Sequence, residues 1–237
     1  MGNGGGRERW ERRRLERHRI NLEIMEARSR MVVGVTGGIA TGKTSVCLIF
    51  KRLGAIVIDA DQIGKEIVKD DKRILSELVA AFGRDILTGN GCLDRRKLGK
   101  IVFAHPEARR KLNQILHPPL LKRLHTAIEL AREKDPDGII VVDAALIVEW
   151  GIVSWFDALV VVVSSRRDQI ERLVKKGGLT FREAEERVDS QLPTREKVLR
   201  AHYVIPNDRD LSVLRKRSVT TWRLLLTKSR SSSIRNA

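Results

Sequence analysis

Between Val32 and Phe50 the chain reads VVGVTGGIATGKTSVCLIF, four glycines and a lysine set between two apolar runs. Glycine weakens the interior of a strand and of a helix, so a cluster at their junction marks a backbone that needs unusual dihedrals or close approach. The segment Gly37–Thr44 fits G-x-x-x-x-G-K-[ST]. A β-branched run precedes it and a helical pattern follows, which is the context the motif requires. Gly37 and Gly42 free the backbone. Successive N–H groups can then turn into one concavity that binds phosphate oxygens, and the helix opening near Lys43 adds its positive end. Lys43 can reach β- and γ-phosphates and the Thr44 hydroxyl can ligate magnesium. The segment therefore predicts a nucleoside triphosphate site.

The rest of the chain alternates in a way that suits such a site. MVVGV, AIVI, GIIVVD, ALVVVV and HYVI are short strand-like runs, two of them apolar nearly throughout, as in a parallel sheet covered on both faces. From Gln62 to Lys134 the pattern is helical, with turns at FGRD, TGNGC and HPEA. The predicted fold is α/β, a P-loop-type doubly wound parallel sheet with an inserted helical region. The second strand ends at Asp59 and Asp61 follows, on the sheet rim that carries the P-loop. Asp61 there can activate a hydroxyl or cap a helix. Asp143, ending another strand, can help hold magnesium or form a turn.

Charge bears on partners. The formal charge is +16 over 237 residues, which invites a nucleic-acid reading. Residues 1–30 hold nine Arg against five Glu, and residues 215–237 hold seven Lys or Arg and no acid. Most of the excess therefore sits at the ends, and a phosphorylated small substrate suits the modestly basic middle without an obligatory nucleic acid. No apolar run approaches the roughly 20 residues of a membrane span. Two cysteines, Cys47 and Cys92, fit a reducing compartment and a cytoplasmic protein. The basic termini leave room for organellar or membrane-surface association. The first 30 residues are expected to be a flexible extension, 31–225 the folded domain, and 226–237 a basic disordered tail.

The blocks VGVTGGIATGKTSV, LGAIVIDADQI, FGRDIL, LDRRKLGKIVF, ILHP, ALIVE, GLTFREAEERVDSQLP and HYVIPN stand in the order seen in dephospho-CoA kinases, and from Met31 to Asn207 the chain resembles that family. The resemblance implies transfer of the ATP γ-phosphate to the ribose 3′-hydroxyl of dephospho-CoA, with ATP and magnesium. It implies a helical CoA-binding insert over about 84–135 and a lid over about 166–191. By the same resemblance Gly37, Gly38, Ile39, Ala40, Thr41, Gly42, Lys43, Thr44, Ser45 and Asn207 hold the nucleotide, and Asp61 is the base. Arg95, His117 and Glu149 belong to the acceptor side.

Several positions depart from the family pattern. Ala145 stands where proline is usual, Lys176-Gly177 where an Arg-Asp pair is usual, His202 where aspartate is usual, and Ala40, a mild change, where glycine is frequent. The lid change leaves Lys176, or Arg172 in its place, to contact the transferring group, and a lysine is a point charge where arginine offers a planar fork. Among rival readings, a GTPase lacks an N-K-x-D segment here, whereas a kinase for another small hydroxyl or nucleotide, or an inactive basic binding protein, stays open. His117 before Pro118 reads as a helix start.

Overall fold

The computed structural model describes residues 31–235, with side chains as far as Ser229. The proposed extension over 1–30 lies outside them. Five parallel strands form one sheet in the order β2-β3-β1-β4-β5: β1 (Met31–Thr36), β2 (Ile56–Asp59), β3 (Ile139–Asp143), β4 (Ala158–Val163) and β5 (Tyr203–Pro206). Side-chain alternation sends neighbouring residues to opposite faces. Val32, Ile140, Val142, Leu159 and Val161 enter one apolar core. Val33, Val35, Val141, Val160 and Val162 enter the other. Both faces are covered, which is why the strands read as unbroken apolar runs.

On the second face lie α1 (Lys43–Arg52) and α9 (Leu211–Arg235), joined by Val46, Phe50, Leu214, Trp222 and Leu225. The rings of Phe50 and Trp222 are 5.4 Å apart. The disordered tail expected from residue 226 is therefore a correction: the helix runs on to Arg235. Buried Leu214, Ser218, Trp222, Leu225 and Ser229 recur at helical spacing and anchor it. The serine-rich composition hides that stripe.

On the first face, α2 (Ala60–Asp70), α3 (Lys72–Phe82), α4 (Arg95–Ala104) and α5 (Pro106–Lys134) fill the span between β2 and β3. Their Ile67, Leu78, Leu98 and Leu124 share one core with the sheet, so these helices brace the strands as well as standing over them. His117 does not start a helix. Pro118 and Pro119 lie inside the 29-residue α5, although each removes a helical N–H. Apolar contacts on both sides of the pair, Leu112 and Leu116 before it and Leu120 and Leu124 after it, carry the helix through.

After β4 come α6 (Arg166–Gly177) and α7 (Phe181–Asp189), then the short α8 (Thr194–Val198). Gly178 turns the chain in a left-handed conformation, and a capping box of Thr180 and Glu183 starts α7. Arg166 bonds both Glu185 and Asp189, tying α6 to α7.

Candidate active site

β1 ends at Thr36 and the chain turns over the carboxyl rim of the sheet. Gly37 has φ +145° and a Cβ there would fall on the Val162 carbonyl. Gly42 has φ +98°, opens α1, and a Cβ would meet the Asn207 side-chain amide. Both glycines are thus required by geometry. Ala40 has φ 57°, the one positive φ of a non-glycine among the described residues. Its Cβ costs about 1 kcal/mol in this region.

Local and long-range hydrogen bonds hold the loop. The Gly38 carbonyl accepts from Lys43 Nζ (3.2 Å) and Thr41 Oγ1 (2.9 Å). Ile39 N–H donates to Gln191 Oε1 at 2.7 Å. Asn207 donates from Nδ2 to the Thr41 carbonyl (2.8 Å) and from its backbone to the Val163 carbonyl (2.7 Å). Arg172 donates to the carbonyls of Ala40 (3.1 Å) and Asn207 (3.0 Å) and to Ser164 Oγ (3.2 Å). Its guanidinium therefore ties the loop to the end of β5 and is engaged by protein acceptors, where the resemblance had offered it as a contact to the transferring group. Lys176, one turn further along α6, is exposed. With Gly42, Thr44, Ser45, Arg172, Asn207 and Leu211 it lines a cleft of about 550 Å³, a size suited to a small-molecule ligand.

Three carboxylates share this rim. Asp59 and Asp143 are register partners across β2 and β3. Asp59 caps α2 by accepting from Gln62 N–H (2.9 Å), so the cap is Asp59 and not Asp61. Asp61 lies in the first turn of that helix. It is exposed at the surface, with Lys43, Asp59 and Lys65 near enough to act on its charge. Desolvation pushes its pKa up, Lys43 pulls it back, and Asp59 raises it again. Asp143 is buried, and desolvation raises its pKa, with Lys43 opposing, Asp59 and Asp61 adding, and a hydrogen bond with the Cys47 thiol lowering it. Burial also holds the Cys47 thiol well above its ordinary pKa, so it stays protonated and can donate.

No group of three or more His, Cys, Asp or Glu residues among those described could by itself hold a metal ion. Thr44 is exposed at the start of α1, and Asp143 ends β3.

The residues that the resemblance assigns to the acceptor are built in differently. Arg95 opens α4 and donates to the Lys65 carbonyl on α2 at 3.0 Å, one turn beyond Asp61. His117 sits in mid-α5 with its ring edge-on to Trp150 at 5.6 Å. Burial lowers its pKa, which favours the neutral ring. Glu149 accepts from Lys197 Nζ (2.7 Å) and from Leu192 N–H (3.2 Å). His117 Nε2, Trp150 Nε1 and the second oxygen of Glu149 are buried without a hydrogen-bond partner. Lys197, fully buried, carried no sequence signal: a lone lysine before a strand looks like any solvated charge. His202 bonds reciprocally with the Leu159 backbone across β4 and β5, which makes it a structural residue.

The α6–α7 hairpin touches both regions. α6 lines the cleft, while α7 meets α4 through Lys100–Glu183 (3.6 Å) and Arg187 over the Phe103 ring (4.9 Å).

A family model described as dephospho-CoA kinase matches residues 31–212. The dephospho-CoA kinase of Geobacter sulfurreducens is 41% identical over 193 residues, covering 81% of this chain and 96% of that protein. Among solved structures, TT1252 from Thermus thermophilus superposes with a TM-score of 0.67 at 25% identity, covering 81% of this chain and 96% of its own. A dephospho-CoA kinase from Campylobacter jejuni gives 0.60 at 23% identity, covering 83% and 98%, and bears on the fold alone. Sequence relatives and fold agree over nearly all the described residues, and the chain belongs to the dephospho-CoA kinase family of ATP-dependent phosphotransferases.

Proposed function

We propose that the cleft binds ATP on the loop from Gly37 to Ser45 and transfers its γ-phosphoryl group to the ribose 3′-hydroxyl of dephospho-CoA, with Asp61 as base. The observation that supports this most is the placing of Lys43, tethered to the Gly38 carbonyl and acting electrostatically on both Asp61 and Asp143. Lys43 holds charge at the β- and γ-phosphates. Asp61, its pKa raised by desolvation, is a better proton acceptor than an ordinary aspartate. Thr44 and Asp143 would hold magnesium, which neutralises phosphate charge when bound. Lys176 supplies the lid's cation to the transferring group, and Arg172 and Asn207 keep the nucleotide side of the loop in shape.

Arg95, His117 and the Glu149 region receive the CoA-like acceptor. Closure of α6 and α7 excludes water, which otherwise competes with the ribose hydroxyl. Positioning and charge neutralisation carry the reaction, as phosphoryl transfer requires. The cytoplasm is the proposed compartment; among the described residues no helix is long and apolar enough to cross a membrane.

The test is incubation of purified protein with ATP, magnesium and dephospho-CoA, followed by mass detection of CoA. Parallel reactions with shikimate and nucleoside monophosphates as acceptors should give no comparable product. Preferential phosphorylation of one of those would overturn the acceptor assignment.

A further inference from the structure

We propose that Gln191 is a positioning residue for phosphoryl transfer, acting on Lys43 through the Gly38–Ile39 peptide. A peptide group is planar, and its C=O and N–H point in opposite directions, so fixing one fixes the other. In this peptide the Gly38 carbonyl tethers Lys43 Nζ at 3.2 Å, and the Ile39 N–H donates to Gln191 Oε1 at 2.7 Å. A Cβ at Gly38 would press on the Gln169 amide, which would have to shift. Inside the loop, Thr41 holds the carbonyl end of this peptide through its Oγ1 (2.9 Å) and its N–H (3.3 Å), and the N–H end is left to be held from outside. Gln191, 152 residues away, supplies the hold.

Gln191 is itself anchored. The next residue, Leu192, donates its N–H to Glu149 Oε1 (3.2 Å), and that oxygen is ion-paired with buried Lys197 (2.7 Å). Lys197 also donates to the Ala145 carbonyl (2.7 Å), which accepts from Thr36 Oγ1 (3.0 Å) at the end of β1. The strand end and the first peptide of the loop are thus referred to one buried ion pair. The arrangement sets the direction of the Lys43 tether before nucleotide arrives, and rotation of that one peptide would move the ammonium away from the phosphates.

The inference rests on Lys43 being the phosphate contact, so the experiment includes Lys43→Ala as a control. Steady-state kinetics of the full chain are compared for wild type, Gln191→Met, which removes the acceptor oxygen at similar length, and Gln191→Glu, which keeps it. Gln191→Met is expected to lower kcat roughly tenfold through misplacement of the lysine, with the KM for dephospho-CoA unchanged. Gln191→Glu is expected to recover most of kcat, its added charge appearing as a higher KM for ATP. Gln191→Ala replaces the methionine variant should that one fold poorly.

Normal kcat in Gln191→Met beside an inactive Lys43→Ala would overturn the role of Gln191 and leave that of Lys43 standing. Tighter ATP binding by Gln191→Met would make Gln191 a plug that phosphate displaces. Equal loss in the methionine and glutamate variants would assign importance to the amide NH2 and not to the tether. Activity in Lys43→Ala would remove the premise.

Discussion

In the nucleotide half of the cleft, Arg172, Gln191 and Asn207 reach back across 132, 152 and 166 residues to bond the backbone of the P-loop. On the side proposed for the acceptor, His117 and Trp150 meet through ring edges, and His117 Nε2 and Trp150 Nε1 have no hydrogen-bond partner among the described residues. The first region is shaped by directional bonds made within the protein. The second is shaped by packing and keeps polar atoms unmatched. Trp222 Nε1, deep in the other core, is also unmatched, so one such atom means little. The grouping of His117, Glu149 and Trp150 is what sets the acceptor side apart. An unmatched buried polar group costs about 1–3 kcal/mol, which a ligand bonding it would offset. The contrast suggests that changes in the nucleotide half act on turnover and changes in the acceptor half on substrate affinity.

The largest expected effect lies at Asp61, where the halves meet. Asp61→Asn should lower kcat roughly 100-fold with ATP binding nearly unchanged; weaker binding with normal turnover of the bound complex would make Asp61 a ligand and blur the contrast. The same variant has a stability signature. Desolvation raises the folded pKa of Asp61, so the unfolded chain releases that proton at a lower pH than the folded one. Stability from this group then falls as pH rises through that window. Asp61→Asn should therefore raise Tm at neutral pH, with the gain fading as pH drops below the carboxylate range. In the wild type, the acidic limb of kcat should stand above that of an unperturbed aspartate.

His117→Ala addresses the other side. It should raise the KM for dephospho-CoA roughly tenfold, the worth of one hydrogen bond in a shaped pocket, and leave the KM for ATP alone. Equal effects on both substrates would erase the distinction between the halves.

The strands and the phosphate loop were readable in the sequence because each depends on local pattern: apolar runs of strand length, and glycines at fixed offsets from Lys43. What was not readable depends on distant partners. Pro118-Pro119 looks like a helix boundary until Leu112 and Leu124 are seen packing on one core. Asp59 and Asp61 are equivalent caps on paper, and only the register with Asp143 and the bond to Gln62 separate them. Arg172 looked like a substitute for a missing lid arginine, yet Ala40, Ser164 and Asn207 occupy it.

That last finding sharpens the expectation for Lys176. With Arg172 engaged elsewhere, Lys176→Arg should raise kcat several-fold, on the order of 1 kcal/mol in the barrier, with the KM for dephospho-CoA unchanged. No change would remove Lys176 from the transferring group. The smallest effect is expected at Ala40. Ala40→Gly relieves a left-handed alanine but loosens the unfolded chain, so stability should rise by about 1 kcal/mol or less. A fall in Tm would show that the Ala40 methyl packs usefully in the cleft.

The packing of α9 on α1 has a consequence for how the protein is made. Phe50, a few residues beyond Lys43, finds its aromatic neighbour only at Trp222, and the loop's own amides wait for Gln191 and Asn207. A nascent chain emerging at about 5–20 residues per second can order its early helices while synthesis continues. Its phosphate loop cannot take this form until Gln191 and Asn207 have left the ribosome, and α1 lacks its aromatic partner until Trp222 follows. Shortened products ending before Trp222 should be silent as enzymes, even though they carry the whole GGIATGKT segment.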